Sequence, residues 1–265
     1  MRPSTTVTGT VRPSMRAKVP EITAMFWLIK VLTTGMGEAA SDYLGTLSVI
    51  LAGAIGIIGL VIALTLQLRA RRYIAPVYWF AVAMVAVFGT MAADALHVAL
   101  DIPYAGSTAF YAVALVVVFT LWRRAEGTLS IHSIVTRRRE IYYWITVLVT
   151  FALGTAAGDL TAASMHLGYL TSAILFAALI ALPAIGRRLG LDSIAAFWIA
   201  YVLTRPLGAS IADWLGKPHH PDHGLGFGDG TVAALATLAI IVLVGYVTVA
   251  RAGIQPDVEP ATVEV

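Results

Sequence analysis

The sequence predicts an all-α integral membrane protein. Eight transmembrane helices form four tandem hairpins, with the odd-numbered helices inside and the even-numbered ones outside. Three observations carry this prediction. The composition is 58% hydrophobic and only 12% charged over 265 residues, whereas a soluble domain carries about 25% charged residues. The apolar residues fall into runs long enough to cross a bilayer. One motif recurs four times at fixed spacing.

The runs lie near residues 20–42, 44–67, 76–98, 104–122, 141–162, 167–186, 192–215 and 229–250. Each is close to the roughly 17–25 residues that a spanning helix needs. Residues 1–18 are polar, with Arg2, Arg12, Arg16 and Lys18. They lack the apolar core and small-residue cleavage site of a signal peptide, so a retained, disordered cytoplasmic tail is expected there. Residues 252–265 read as a second cytoplasmic tail. Between the tails, the repeats are expected at 19–72, 73–139, 140–190 and 191–251.

Basic residues set the orientation. Arg69, Arg71 and Arg72 follow the second run, and Arg123, Arg124, Arg137, Arg138 and Arg139 follow the fourth. Arg187 and Arg188 follow the sixth, and Arg251 the eighth. With the tail, all but three of the 18 Lys and Arg fall on one side. Lys217 alone is on the other, while Lys30 and Arg205 lie inside helices. The positive-inside rule then predicts a multi-pass plasma-membrane protein with both termini cytoplasmic. The arginine clusters suit topology and anionic lipid, not nucleic acid. The lack of cysteine excludes disulfides and thiolate chemistry.

The repeat is read by setting Trp27, Trp79, Trp144 and Trp198 under one another. Each follows an aromatic residue. Ten positions later come Gly37, Gly89, Gly154 and Gly208, and fifteen positions later Asp42, Asp94, Asp159 and Asp213. The pattern W-x9-G-x4-D therefore marks the first helix of each hairpin. Repeats 1 and 4 resemble each other ("GEAASDYLG", "GASIADWLG"), as do 2 and 3 ("GTMAAD", "GTAAGD", each followed by a histidine). An approximate twofold is thus laid over a fourfold. The stretch "FWLIKVLTTGMGEAASDYLG" resembles the first repeat of a family of uncharacterised bacterial integral membrane proteins. These are built from four tandem two-helix repeats, each marked by a tryptophan. The likeness covers about residues 18–250. It implies the repeat fold and no particular activity.

Fifteen residues of helix rise about 22 Å, so the tryptophans and aspartates belong to opposite ends of the first helices. The tryptophans fit an interfacial aromatic belt, and the glycines fit close helix packing. The second helices carry no ionisable group in their apolar cores and can face lipid. The first helices carry charge and belong inside, because a charge facing lipid is costly. Lys30, Thr34, Glu38 and Asp42 are spaced by four and share one face,. Arg205 occupies the repeat position of Thr34.

Glu38, Asp42, Asp94, Asp159 and Asp213 are therefore the expected ion- or proton-binding residues, with Lys30 and Arg205 as charge partners. Carboxylates crowded at low dielectric cannot all stay ionised without protons, bases or a bound cation. The plainer alternative is structural, with aspartates such as Asp42 capping the next helix. His97 and His166 stand near the aspartates in sequence, and "GKPHHPDHGLGFGDG" gathers His219, His220, His223 and Asp222. Imidazole and carboxylate suit a transition metal, although that loop reads equally as a solvated turn. No phosphate loop, GxSxG or HExxH motif occurs,, and no catalytic residue is assigned. The expected function is transport of a small inorganic cation, a divalent metal among the candidates, coupled to protons. The second reading is a membrane-embedded redox protein or enzyme holding a metal or a haem at the outer end, with His97 and His166 as ligands.

Overall fold

The computed structural model describes residues 17–220 and 223–255. Eight α-helices follow in order: α1 (Ala24–Leu47), α2 (Val49–Arg69), α3 (Ala75–Asp94), α4 (Tyr104–Glu126), α5 (Arg137–Asp159), α6 (Gly168–Arg188), α7 (Ser193–Gly216) and α8 (Asp229–Val249). No strand occurs among the described residues. Seven helices are long and apolar enough to cross a membrane. The remaining helix, α1, is as long but carries Lys30, Glu38 and Asp42. It is surrounded by α2, α3, α7 and α8, so its charges meet protein instead of lipid.

The odd helices close a ring: α1 packs on α3, α3 on α5, α5 on α7, and α7 back on α1. The even helices form the outer layer. Half or more of α3, α5 and α7 is buried, against 17–28% of the even helices. Residues such as Ile57, Ile58, Val113, Val116, Ile174, Leu182, Leu238 and Ile241 stay exposed. That apolar surface suits acyl chains. Each even helix lies chiefly against the next repeat's odd helix: α2 on α3, α4 on α5, α6 on α7, and α8 on α1. The repeats are therefore interlocked, and the last helix closes onto the first.

The motif glycines explain the ring. A side chain at Gly37 would strike Ala86, one at Gly89 would strike Phe151, one at Gly154 would strike the Arg205 stem, and one at Gly208 would strike Thr34. Each glycine thus meets the residue seven positions after the tryptophan of the next repeat, including the step from repeat 4 back to repeat 1. A missing Cβ lets neighbouring backbones approach at equivalent heights around the ring. The twofold is visible as well. Among the described residues, five-residue π-helical segments, Ala95–Ala99 and Leu160–Ser164, follow Asp94 and Asp159 in repeats 2 and 3 only.

Several expectations are corrected. The first hairpin turns at Ser48, not near residue 43, because the Ser48 side chain accepts from the Leu51 N–H and caps α2. Asp42 sits inside α1, so it caps nothing. The tryptophans form no lipid-facing belt. Trp79, Trp144 and Trp198 are buried in the core with Phe26, Tyr78, Tyr143 and Tyr201, and the Trp198 indole donates to the Leu129 carbonyl at 2.9 Å. The ring grooves bury these aromatics more completely than a bilayer interface would. Lys18 does not belong to a disordered tail: it is buried and ion-paired with Glu140. The Gln67 amide donates both to Glu140 and to the Lys18 carbonyl. At the other terminus Gln255 is buried and donates to the Pro20 carbonyl. Residues 1–16 and 256–265, the rest of both expected tails, lie outside the described residues.

Candidate functional site

The odd helices carry the motif aspartates at their C-terminal ends, where the bundle opens into a cavity of about 710 Å³. Asp42, Asp94, Asp159 and Asp213 all line it, together with Glu38. Four separate repeats therefore deliver their equivalent carboxylates to one space. The closest group is Glu38, Asp42 and Asp213, whose ligand oxygens lie within 4.8 Å of one another. Hard cations such as Ca²⁺ and Mn²⁺ favour oxygen donors of this kind.

The floor of the cavity is a layer set by repeat register. Eleven residues after the tryptophans of repeats 1, 2 and 3 stand Glu38, Thr90 and Thr155. All three converge on the Nη2 of Arg205, which reaches in from repeat 4. Nη2 donates to Glu38 Oε2 at 2.6 Å, to Thr155 Oγ1 at 2.7 Å, and to Thr90 Oγ1. Both threonine hydroxyls also lie within bonding distance of Glu38 Oε2. Arg205 and Glu38 are buried, so this is a desolvated pair held by hydroxyls on either side.

Lys30 does not share that layer. It lies eight residues before Glu38 on α1, about 12 Å lower along the axis, and no carboxylate reaches it among the described ion pairs. It is 1% exposed. Its ammonium donates to Thr204 Oγ1 at 2.6 Å and to the Tyr201 carbonyl at 3.1 Å, and sits 3.9 Å from the Tyr201 ring centroid. The expected pairing of Lys30 with the carboxylates is therefore absent among the described ion pairs.

Four site members escaped the sequence reading: Lys217, Asp229, Thr90 and Thr155. Lys217 closes the end of α7, ion-pairs with Asp42, and stands 3.2 Å from Asp229 Oδ2. Burial alone would depress its basicity. The carboxylates of Asp42, Asp213 and Asp229 outweigh that and hold its ammonium above the usual lysine range,. Asp229 opens α8, and its Oδ1 is buried without a partner. Thr90 and Thr155 were legible in principle, since both share Glu38's repeat position.

The histidines do not join the aspartates. His97 is held aside: its Nδ1 is 2.9 Å from the Ile102 carbonyl and its ring stacks on Tyr104. His166 is exposed, on a left-handed backbone with φ 55°. Neither lines the cavity. His219, His220 and His223 are exposed neighbours in the loop before α8, while Asp222 lies outside the described residues. Among the described residues, Glu38, Asp42 and Asp213 form the one three-ligand group able to hold a metal ion.

Fold and site together define a multi-pass α-helical membrane protein with a carboxylate-lined cavity inside a ring of repeats. The chain belongs to the family described as Repeat of Unknown Function (DUF347), which matches it four times, at residues 25–73, 77–128, 142–187 and 196–252. No curated protein and no solved structure matches it.

Proposed function

We propose that the protein transports small cations across the plasma membrane in exchange for, or together with, protons. The observation that carries this reading is the convergence of Glu38 and all four repeat aspartates on one cavity. With Asp229, six carboxylates face two nearby bases, Arg205 and Lys217. The excess negative charge calls for protons or cations inside a helical bundle, where ionisable groups are costly without a role. The excess of Lys and Arg at the tryptophan end supports a cytoplasmic location for that end and both termini, with the cavity facing outward. Mn²⁺ and similar divalent ions fit the oxygen donors of Glu38, Asp42 and Asp213,.

In this arrangement the path inward is closed by the Arg205 layer, and beneath it by Lys30 and the aromatic core. A proton or cation that takes over Glu38 weakens its pair with Arg205 and frees the guanidinium to move. Occupancy of the cavity is thereby linked to the barrier below it. The test is flux. Purified protein in liposomes is expected to move Mn²⁺ with a counterflow or co-flow of protons, and Asp94→Asn and Glu38→Gln are each expected to cut that flux at least about tenfold. Unchanged flux in both variants removes the carboxylates from the mechanism.

A further inference from the structure

The cavity has two unlike halves, and the difference points to its cargo. Repeats 1 and 4 supply Glu38, Asp42, Asp213 and Lys217. Repeats 2 and 3 supply Asp94 and Asp159, but also Tyr104 and Tyr169. Each of these tyrosines stands ten residues after its repeat aspartate, at the start of α4 or α6. Met91 and Val98, with Val49 across from α2, extend that wall as an apolar surface. A bare divalent ion needs only a shell of oxygens at about 2.0–2.6 Å. A space of about 710 Å³ is far larger and falls in the range of organic-ligand sites, roughly 300–1,000 Å³.

A second observation marks the acidic side as a receptor. Asp213 is 5% exposed and lines the cavity, and its side chain makes no hydrogen bond or ion pair among the described residues. Ser41, 4% exposed, lines it beside Asp213's neighbour Asp42, and its hydroxyl likewise makes no hydrogen bond among the described residues. Buried polar side chains in folded proteins are nearly always paired, so these two are open to a ligand donor or cation.

We propose that the cavity binds an organic ammonium ion. Its charged head sits between the Asp213, Glu38 and Asp42 carboxylates and the Tyr104 and Tyr169 rings, and its hydrocarbon body lies along the apolar wall of Met91 and Val98. Tyrosine faces attract alkylammonium groups by cation–π contact, and the apolar wall takes surface that a metal ion does not have. This assignment rests on the cation-transport reading and narrows its substrate class.

The test titrates the full-length protein, purified in dodecyl maltoside, with benzyltrimethylammonium, ammonium and Mn²⁺ by calorimetry. Benzyltrimethylammonium is expected to bind at least about tenfold tighter than the other two. Tyr104→Ala and Tyr169→Ala are each expected to weaken it about tenfold, the scale of a desolvated cation–π contact. Tyr104→Phe, which keeps the ring, retains the affinity and shows that the alanine effect is not misfolding. Tighter binding of Mn²⁺, or full affinity in both alanine variants, overturns the assignment. If ammonium or Mn²⁺ binds in an Asp213-dependent manner while benzyltrimethylammonium does not, only the substrate class falls. If no cation binds, the transport reading falls with it.

Discussion

The two ends of the bundle are built from the same repeat and differ in almost every physical respect. At the tryptophan end each repeat contributes an aromatic pair, and the rings pack in tilted and edge-on contacts around Tyr78, Tyr143, Trp144 and Trp198. The Tyr78 and Tyr143 hydroxyls satisfy each other. That end is a packed apolar core. At the aspartate end the same four helices contribute carboxylates, which repel one another and leave a cavity in place of a core. The glycine ring lies between. It draws the helices together at mid-height, so the aromatic end can be tight while the acidic end stays open. Symmetry brings equivalent side chains together, and their chemistry decides whether the meeting is cohesive or repulsive.

The sharpest way to break the comparison is at the layer where the two ends meet. Arg205→Met leaves Glu38 buried without its cation and is expected to cost about 3–5 kcal/mol. Thermal unfolding in detergent measures this, and Glu38→Gln in the same background is expected to restore more than half. Next comes the ring itself. At Gly208 a new Cβ would lie 2.8 Å from Thr34 Cβ and 2.9 Å from the Val31 carbonyl. Gly208→Ala is therefore expected to destabilise by about 1–3 kcal/mol, whereas Gly45→Ala, with open space around it, is expected to stay within about 0.5 kcal/mol.

At the mouth, Lys217→Met is expected to cost about 1 kcal/mol, since the pair is partly screened. Its carboxylate neighbours raise the Lys217 pKa, so on the alkaline side its contribution is lost only above about pH 10. The penalty should therefore be equal at pH 8 and pH 9, and a penalty that disappears by pH 9 contradicts the assignment. The smallest effect is expected at Lys30, which pairs with no carboxylate. Lys30→Met removes a buried charge and keeps most of the volume, so stability should change by less than about 1 kcal/mol or rise. A loss as large as that of Arg205→Met would show that the two cations belong to one network.

Much of this arrangement was legible in the sequence, and for a physical reason. Spacing along a helix fixes height, so the fifteen-residue offset from Trp to Asp placed both sets at common levels. The cost of charge in lipid then assigned odd helices inside and even helices outside. What sequence could not give was contact between repeats. Thr90 and Thr155 became partners of Arg205 only when the ring set three equivalent positions around one guanidinium. Asp229 and Lys217 sit at helix ends, where the path of the chain decides their neighbours. The tryptophans were misread for the same reason: only the packing of α3, α5 and α7 shows which way the indoles point. The histidines looked like ligands by proximity along the chain, and the π-helical segment and tight turn carry His97 and His166 away from the cavity.

Accessibility of the carboxylate positions tests the central claim most directly, and the chain offers a clean background because it contains no cysteine. Single variants Asp94→Cys and Asp159→Cys, at the cavity, are compared with Val82→Cys and Val147→Cys, buried at the tryptophan end. A small water-soluble thiol reagent is applied with and without a saturating cation. The account predicts rapid labelling at 94 and 159, slowed several-fold by the cation, and little labelling at 82 and 147. Equal labelling at both ends, or labelling at 94 and 159 that no cation slows, would contradict it.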